Sequence, residues 1–150
     1  RAIVQPKVGS TAFRAEEDQL IASAVLAGRL SFAWWGLKGD DFDVTSGVLK
    51  SFPVDLADIP EDARSKLLNL AHQLRSEMPK ALVYTLYAKK WLGNYDMKML
   101  RHITDEVDEI VLQTLGLEAH LPTVRRIDAR LFRSSGDAGN SIRTWPPPNS

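Results

Sequence analysis

Apolar residues recur at helical spacing in three separate stretches of this 150-residue chain. The clearest stretch spans about residues 59–78, and its apolar face consists of Leu67, Leu70, Ala71, Leu74 and Met78. Asp58 and Glu61 have the spacing of a capping box, and Pro60 lies in the first turn. Because the opposite face is charged, we expect this helix to bury its apolar face against another helix.

The other two stripes predict helices over about residues 16–36 and 97–115. The first stripe is Leu20, Ala24, Ala27, Ser31 and Trp35, and the second is Ile103, Val107, Ile110, Val111 and Leu115. Gly36 should end the first helix and Gly116 the second. The second helix is expected to begin near Asp96 or Thr104, and Thr104, with the acidic residues that follow it, is predicted to act as its cap.

Small residues in the first stripe, Gly28 among them, should let another element approach its backbone closely. Trp34 and Trp35 are predicted to anchor the core that the three helices share. Residues 82–87, LVYTLY, favour a strand or an extended connector, and the amino-terminal residues favour one or two short strands. A short helix capped by Thr45 is also expected. The predicted fold is α+β and helix-dominant, with a single domain over 1–133 and a tail or linker over 134–150.

Composition excludes several classes of protein. Nineteen basic and nineteen acidic side chains cancel, so the whole chain has no field that would draw it onto nucleic acid. With no cysteine there are no disulfides, and no apolar run approaches the roughly 20 residues that span a bilayer. We expect a cytoplasmic protein, and the first residue, Arg1, suggests a piece of a longer chain.

Catalytic constellations are weak. Asp40, Asp41 and Asp43 could hold a divalent cation for nuclease chemistry, although a polar loop explains them more simply. His72, His102 and His120 stand on separate segments without the paired spacing of a zinc site. The sequence therefore predicts no catalytic residue and no metal ligand.

Basic residues are concentrated in two places. The first cluster has one acidic residue, Asp96, and aromatic rings interleaved with its basic residues, which are Lys89, Lys90, Lys98 and Arg101. The second cluster contains Arg125, Arg126, Arg130 and Arg133. Lysine and arginine hold phosphates while rings stack on bases or sugars, so a nucleic-acid contact is one reading and a solvated basic face is the other.

Three segments carry a resemblance to a known family. LIASAVLAGRLSFAWWGLKGDDFDVTSGVLKSFPV resembles a region of the adenine DNA methyltransferases of restriction-modification systems. The segment that begins at Lys89 is similar to the carboxyl-terminal stretch of combined restriction-methylase enzymes, and the helix before it to one in type I specificity subunits. The matching residues are Gly93, Asn94, Tyr95, Asp96, Arg101, Thr104, Asp105, Asp108 and Leu115 to Leu117. Arg29 departs from the asparagine of the family pattern.

The resemblance implies a target-recognition part without its catalytic domain, because the Asn-Pro-Pro-Tyr and Phe-x-Gly motifs are absent. Such a part binds double-stranded DNA beside a catalytic domain in cis, and only the parent protein uses S-adenosylmethionine. The implied DNA-binding residues are Lys89, Lys90, Asn94, Tyr95, Lys98, Arg101, Arg125 and Arg126. A helical protein-protein interaction module and a metal-dependent nuclease using Asp40, Asp41 and Asp43 remain the alternatives.

Overall fold

The structure is a computed structural model that describes residues 12–38, 46–87, 90–131 and 141–142. Its helices are α1 Glu16–Leu26, α2 Arg29–Lys38, α3 Ser46–Lys50, α4 Glu61–Glu77, α5 Arg101–Thr114 and α6 Leu121–Leu131. Its strands are β1 Leu82–Tyr87, β2 Lys90–Tyr95 and β3 Ser141–Ile142. The predicted helix-dominant α+β class is confirmed. The amino-terminal strands, which were expected mostly before residue 12, and the Thr45 cap fall outside the described residues.

The core lies where α1, α4 and α5 meet. Leu67 of α4 is fully buried against Ile21 of α1 and against Ile103 and Val107 of α5, none of them more than 1% exposed. The predicted α4 stripe is confirmed in Leu67, Leu70, Ala71 and Leu74. Because each helix is apolar on one side, the three stripes close on one another and leave their charged faces in water.

The predicted single helix over 16–36 is wrong, because α1 and α2 are two helices bent by 71°. The break lies at Ala27 and Gly28, whereas Gly36 lies inside α2. The cause comes from α5, where the Asp108 carboxylate accepts hydrogen bonds from the N–H groups of Arg29 at 2.7 Å and Leu30 at 3.3 Å. These are unpaired donors at a helix start, so Asp108 caps α2 from another part of the chain.

Gly28 makes this cap possible. A Cβ atom at Gly28 would lie closer to the Asp108 carboxylate than real Cβ contacts allow. The predicted close approach at a small residue is therefore confirmed, with α5 as the approaching element. Arg29 reinforces the joint, since its Nε is 2.8 Å from Asp105 Oδ1 and its Nη1 donates to the Arg125 carbonyl.

The bend carries the two tryptophans away from the shared core, so that prediction is also wrong. Trp34 and Trp35 are half-buried, and neither belongs to the main cluster. Trp34 meets Phe52 edge-on at 6.3 Å between ring centroids and donates from Nε1 to Ser51 Oγ at 3.2 Å. They form a separate aromatic cluster between α2 and the segment after α3.

Two predicted caps are corrected. At α4, Pro60 is the N-cap residue, and Asp58 lies two positions earlier in a 3₁₀ turn, so the expected capping box does not form. At α5, the helix begins at Arg101 after a 3₁₀ turn, Met97–Leu100, that Asp96 caps. Thr104 is therefore inside the helix and fully buried, and its Oγ1 has no hydrogen-bond partner.

Helix α6 was not predicted. It starts at Leu121, so Pro122 lies in its first turn, where proline is compatible with a helix instead of breaking it. Val124 is buried, and α6 packs mainly on α2. Further along, β3 lies within the stretch predicted as a tail and pairs with β1.

The joint at Gly28 leads to a first prediction. Gly28→Ala should lower the free energy of unfolding by about 1–3 kcal/mol, because the new methyl group displaces the carboxylate that caps α2. Gly36→Ala is the control within α2, at a glycine with nothing within 4 Å of an added Cβ atom, and it should stabilise by about 0.5–1 kcal/mol. Urea unfolding followed by circular dichroism measures both. Equal effects of the two variants would contradict the tight approach.

The buried carboxylate leads to a second prediction. Burial raises the pKa of Asp108 from 3.8 to about 6, although the N–H groups of Arg29 and Leu30 oppose the shift. The folded state therefore binds the Asp108 proton more tightly than the unfolded state does. The stability that this proton contributes is fully present below pH about 4 and is lost as the pH rises above 6. That difference amounts to about 3 kcal/mol. Asp108→Asn removes this contribution. When unfolding free energies are measured from pH 4 to 7, that of the wild type should therefore fall relative to that of the variant as the pH rises, and parallel curves would contradict the prediction.

Candidate nucleic-acid interface

The strands form an antiparallel hairpin in which β1 and β2 pair over six residues each, from Leu82 with Tyr95 to Tyr87 with Lys90. The short β3 pairs with β1 on its other side, so β2 is an edge strand of the described sheet. The strand at 82–87 was predicted, but β2 was not. The sequence signal for β2 is weak, because Lys90, Gly93 and Asn94 are types that strands disfavour and the linking pair, Ala-Lys, is not a typical two-residue hairpin turn.

The hairpin stands outside the helical core, since no strand residue belongs to the core cluster. Its base is held to the helices by Ala81, which is fully buried and whose carbonyl accepts from the Asp96 N–H at 2.7 Å. Further out, Leu86 is 41% and Tyr95 is 47% exposed. Both residues lie on one face of the hairpin, and Asn94 is exposed on the other.

The structure gathers most of the predicted contact residues on this hairpin and at its base. Lys90, Asn94 and Tyr95 belong to β2, and Lys98 lies exposed in the 3₁₀ turn that follows. Lys89 lies outside the described residues. From their spacing along the sequence alone, these residues are expected to form one continuous basic segment. In the structure they lie on the projecting two-stranded ribbon and in the turn that follows it.

Arg101 has a different environment from Lys98. It begins α5, is half-buried, and lines a groove between α1 and α4. It also has an interaction within the protein. Lys98 is therefore the better probe of contact with a partner.

The second basic cluster is not brought to the hairpin by any described packing. Arg125 and Arg126 are exposed on α6, whose most extensive contact is with α2. Arg126 Nη2 donates to Thr123 Oγ1 at 3.3 Å within the same helix. The side chains of Arg130 and Arg133 lie outside the described part.

Charge is distributed unevenly along the chain. From residue 80 to residue 101 the sequence has five basic residues and one acidic residue, a net charge of +4. Because the whole chain is neutral, the remaining residues carry a net charge of −4. No acidic residue occurs between Lys80 and Tyr95. Residues 80–101, which include the hairpin, are therefore a positively charged stretch in a chain whose remaining residues are acidic in sum.

Adjacent residues of β2 point to opposite faces. Asn94 pairs with Val83, and Tyr95 pairs with Leu82, so the amide and the phenol lie on different sides of the ribbon. These two residues cannot contact the same surface of a partner together. One face carries Asn94 and Thr85, and the other carries Trp91, Tyr84 and Tyr95.

Other residues of the resemblance have structural roles. Asp105 pairs with Arg29, and Asp108 caps α2.

His102 is exposed, and its Nε2 lies 3.1 Å from Glu77 Oε2 at the end of α4. A hydrogen bond from Gln73, and then the charge of His102, lower the pKa of Glu77. No nucleophile accompanies His102 in these contacts.

Metal-binding groups of three or more acidic or histidine side chains do not occur among the described residues. Asp40, Asp41 and Asp43 lie outside them.

In the described part no single helix is long and apolar enough to cross a membrane, and only the bent pair α1 and α2 reaches the required length and composition together. Comparison of the chain with protein families, curated proteins and solved structures finds no match.

The position of the hairpin outside the core leads to a third prediction. Trp91→Leu should change the free energy of unfolding by less than about 1 kcal/mol, because the side chain lies on a projecting ribbon. Leu67→Ala, in the centre of the core, should cost about 2–5 kcal/mol. Thermal and urea unfolding measure both variants. A loss of similar size in Trp91→Leu would mean that the hairpin is part of the cooperative core.

Proposed function

We propose that this chain is the DNA-binding, target-recognition part of an S-adenosylmethionine-dependent adenine DNA methyltransferase of a restriction-modification system. The observation that carries the proposal is the β1–β2 hairpin outside the core, which has no acidic residue and lies within a stretch, residues 80–101, of net charge +4. The resemblance of the segment from Gly93 to Leu117 to such enzymes supports it. A cytoplasmic location belongs to the same proposal.

A two-stranded ribbon has the dimensions to enter the major groove of duplex DNA. In this arrangement Lys98, in the 3₁₀ turn that follows β2, would bind a phosphate and set the register, together with the other predicted phosphate contacts, Lys89 and Lys90. Asn94 would face base edges, because an amide can donate and accept at once. The acidic outer surface of α5 keeps the helical body away from the DNA backbone by repulsion.

Methyl transfer itself would occur elsewhere in the parent protein. This chain lacks the motifs that hold the target adenine and S-adenosylmethionine, so both would be bound by a catalytic domain in cis. The work of this part is to hold duplex DNA while the adenine leaves the stack. No catalytic step is assigned to its residues.

A protein-protein interaction module is the second candidate. It is favoured by the apolar side chains on both faces of the hairpin, among them Leu86 and Leu92. The two functions differ in their response to salt, because phosphate contacts release counterions and apolar contacts do not. For the nuclease alternative, Asp41→Asn should abolish any magnesium-dependent cleavage.

Salt dependence of DNA binding tests the proposal. Binding of the chain to a fluorescent duplex should weaken steeply with salt, and Lys98→Ala should lower the slope of log K against log salt by about 0.9. Lys66→Ala is the matched control, since Lys66 is exposed on α4, away from the hairpin. The measurement is fluorescence anisotropy over a range of salt concentrations.

Absence of duplex binding, or binding that ignores salt, would overturn the proposal in favour of a protein partner. In the parent protein the same lysine variant should reduce DNA affinity and leave S-adenosylmethionine binding unchanged. Loss of both would indicate misfolding, which the unfolding curve of the variant would show.

A further inference from the structure

One face of the hairpin is aromatic. Strand register places Leu82 opposite Tyr95, Tyr84 opposite Gly93, and Leu86 opposite Trp91, all on the same side of the ribbon. Of the five side chains on this aromatic face, three are rings. The opposite face of the described hairpin presents Val83, Thr85, Leu92 and Asn94.

Gly93 allows the three rings to form one row. It lies between Trp91 and Tyr95 on β2 and has no side chain, and the Tyr84 ring from β1 covers that position. A Cβ atom at Gly93 would lie 3.4 Å from Tyr84 Cε1. The order of rings along the face is therefore Trp91, Tyr84 and Tyr95.

The spacing of the row indicates the kind of ligand. Residues on the same face of a strand recur at about 7 Å, which is about twice the roughly 3.4 Å separation of bases stacked in a duplex. Rings at this spacing cannot match a continuous stack. They suit bases that have left the stack, because each ring can accept one base against its face.

The surroundings of the face indicate a phosphate-bearing ligand. Tyr95 is 47% exposed and is followed three residues later by the exposed Lys98. No acidic residue lies on the hairpin, and the one acid nearby, Asp96, accepts a hydrogen bond from the Lys98 N–H in capping its turn. Aromatic rings together with net positive charge, which is +4 over residues 80–101 with Asp96 counted, are the combination that binds single-stranded nucleic acid.

We propose that the aromatic face of the hairpin, formed by Trp91, Tyr84 and Tyr95, binds unpaired nucleobases of DNA. This inference rests on the proposed function and deepens it. The hairpin would then contact paired DNA through its lysines and Asn94. Its aromatic rings would bind a base that has left the duplex. When an adenine is flipped out of the duplex, the adenine and the base that was paired with it are both left unpaired.

The test compares three labelled DNAs with one sequence. The first is a fully paired duplex, the second carries two unpaired thymines, and the third carries abasic sites in place of those thymines. The intact chain should bind the thymine bulge about tenfold more tightly than the other two. The abasic bulge keeps the bent backbone and lacks the bases, so it separates stacking from recognition of a bend.

Variants place the effect on the face. Tyr95→Leu and Trp91→Leu should lose the tenfold preference while their binding to the paired duplex keeps its salt dependence. Tyr95→Phe keeps the ring and should keep the preference. Thr85→Val is the control on the opposite face, and it should also retain the preference.

The outcomes are distinguishable. If the abasic bulge binds as tightly as the thymine bulge, or if both leucine variants keep the preference, the inference is overturned and duplex binding still stands. If the chain binds none of the three DNAs, the proposed function fails as well, and the aromatic face is the surface for a protein partner.

Discussion

The fold depends on one carboxylate placed across a break in the chain. Asp108 of α5 accepts two N–H groups at the start of α2, and Gly28 gives it room to do so. Hydrogen bonds to these otherwise unpaired donors offset part of the cost of burying a charge, and the raised pKa of Asp108, about 6, shows that part of that cost persists. Because of this contact α1 can pack in the core while α2 turns towards α6.

Residues that stabilise the fold and residues available for binding are separated in space. The core of α1, α4 and α5 contains no residue of the hairpin, and the hairpin contains no acidic residue. Substitutions on the hairpin are therefore expected to have little effect on stability, so their effect on the proposed binding can be measured separately. A body that carries net negative charge also orients the molecule, because it turns the positive hairpin towards an anionic partner.

The resemblance motif changes meaning once the contacts are known. Asp105 and Asp108, which matched the family pattern, hold α2 through Arg29 and its neighbour. Arg29 departs from the family pattern, and in this structure it supplies the ion pair with Asp105. Lys98 remains exposed for contact with a partner, while Arg101 is partly engaged inside the protein. The residues that carry the resemblance thus include ones with a structural role, such as Asp105 and Asp108, which only the packing of the helices reveals.

Sequence alone determined the three apolar stripes, the strand at 82–87 and the concentration of positive charge between residues 80 and 101. These are local properties, because helical spacing, β propensity and charge can be read within a few neighbouring residues. Only the tertiary structure decided the bend at Gly28, the burial of Thr104 inside α5 and the two faces of the hairpin. Each depends on a partner far along the chain, as with Arg29 and Asp108, which are 79 residues apart. A carboxylate that caps a distant helix leaves no periodic trace in its own segment.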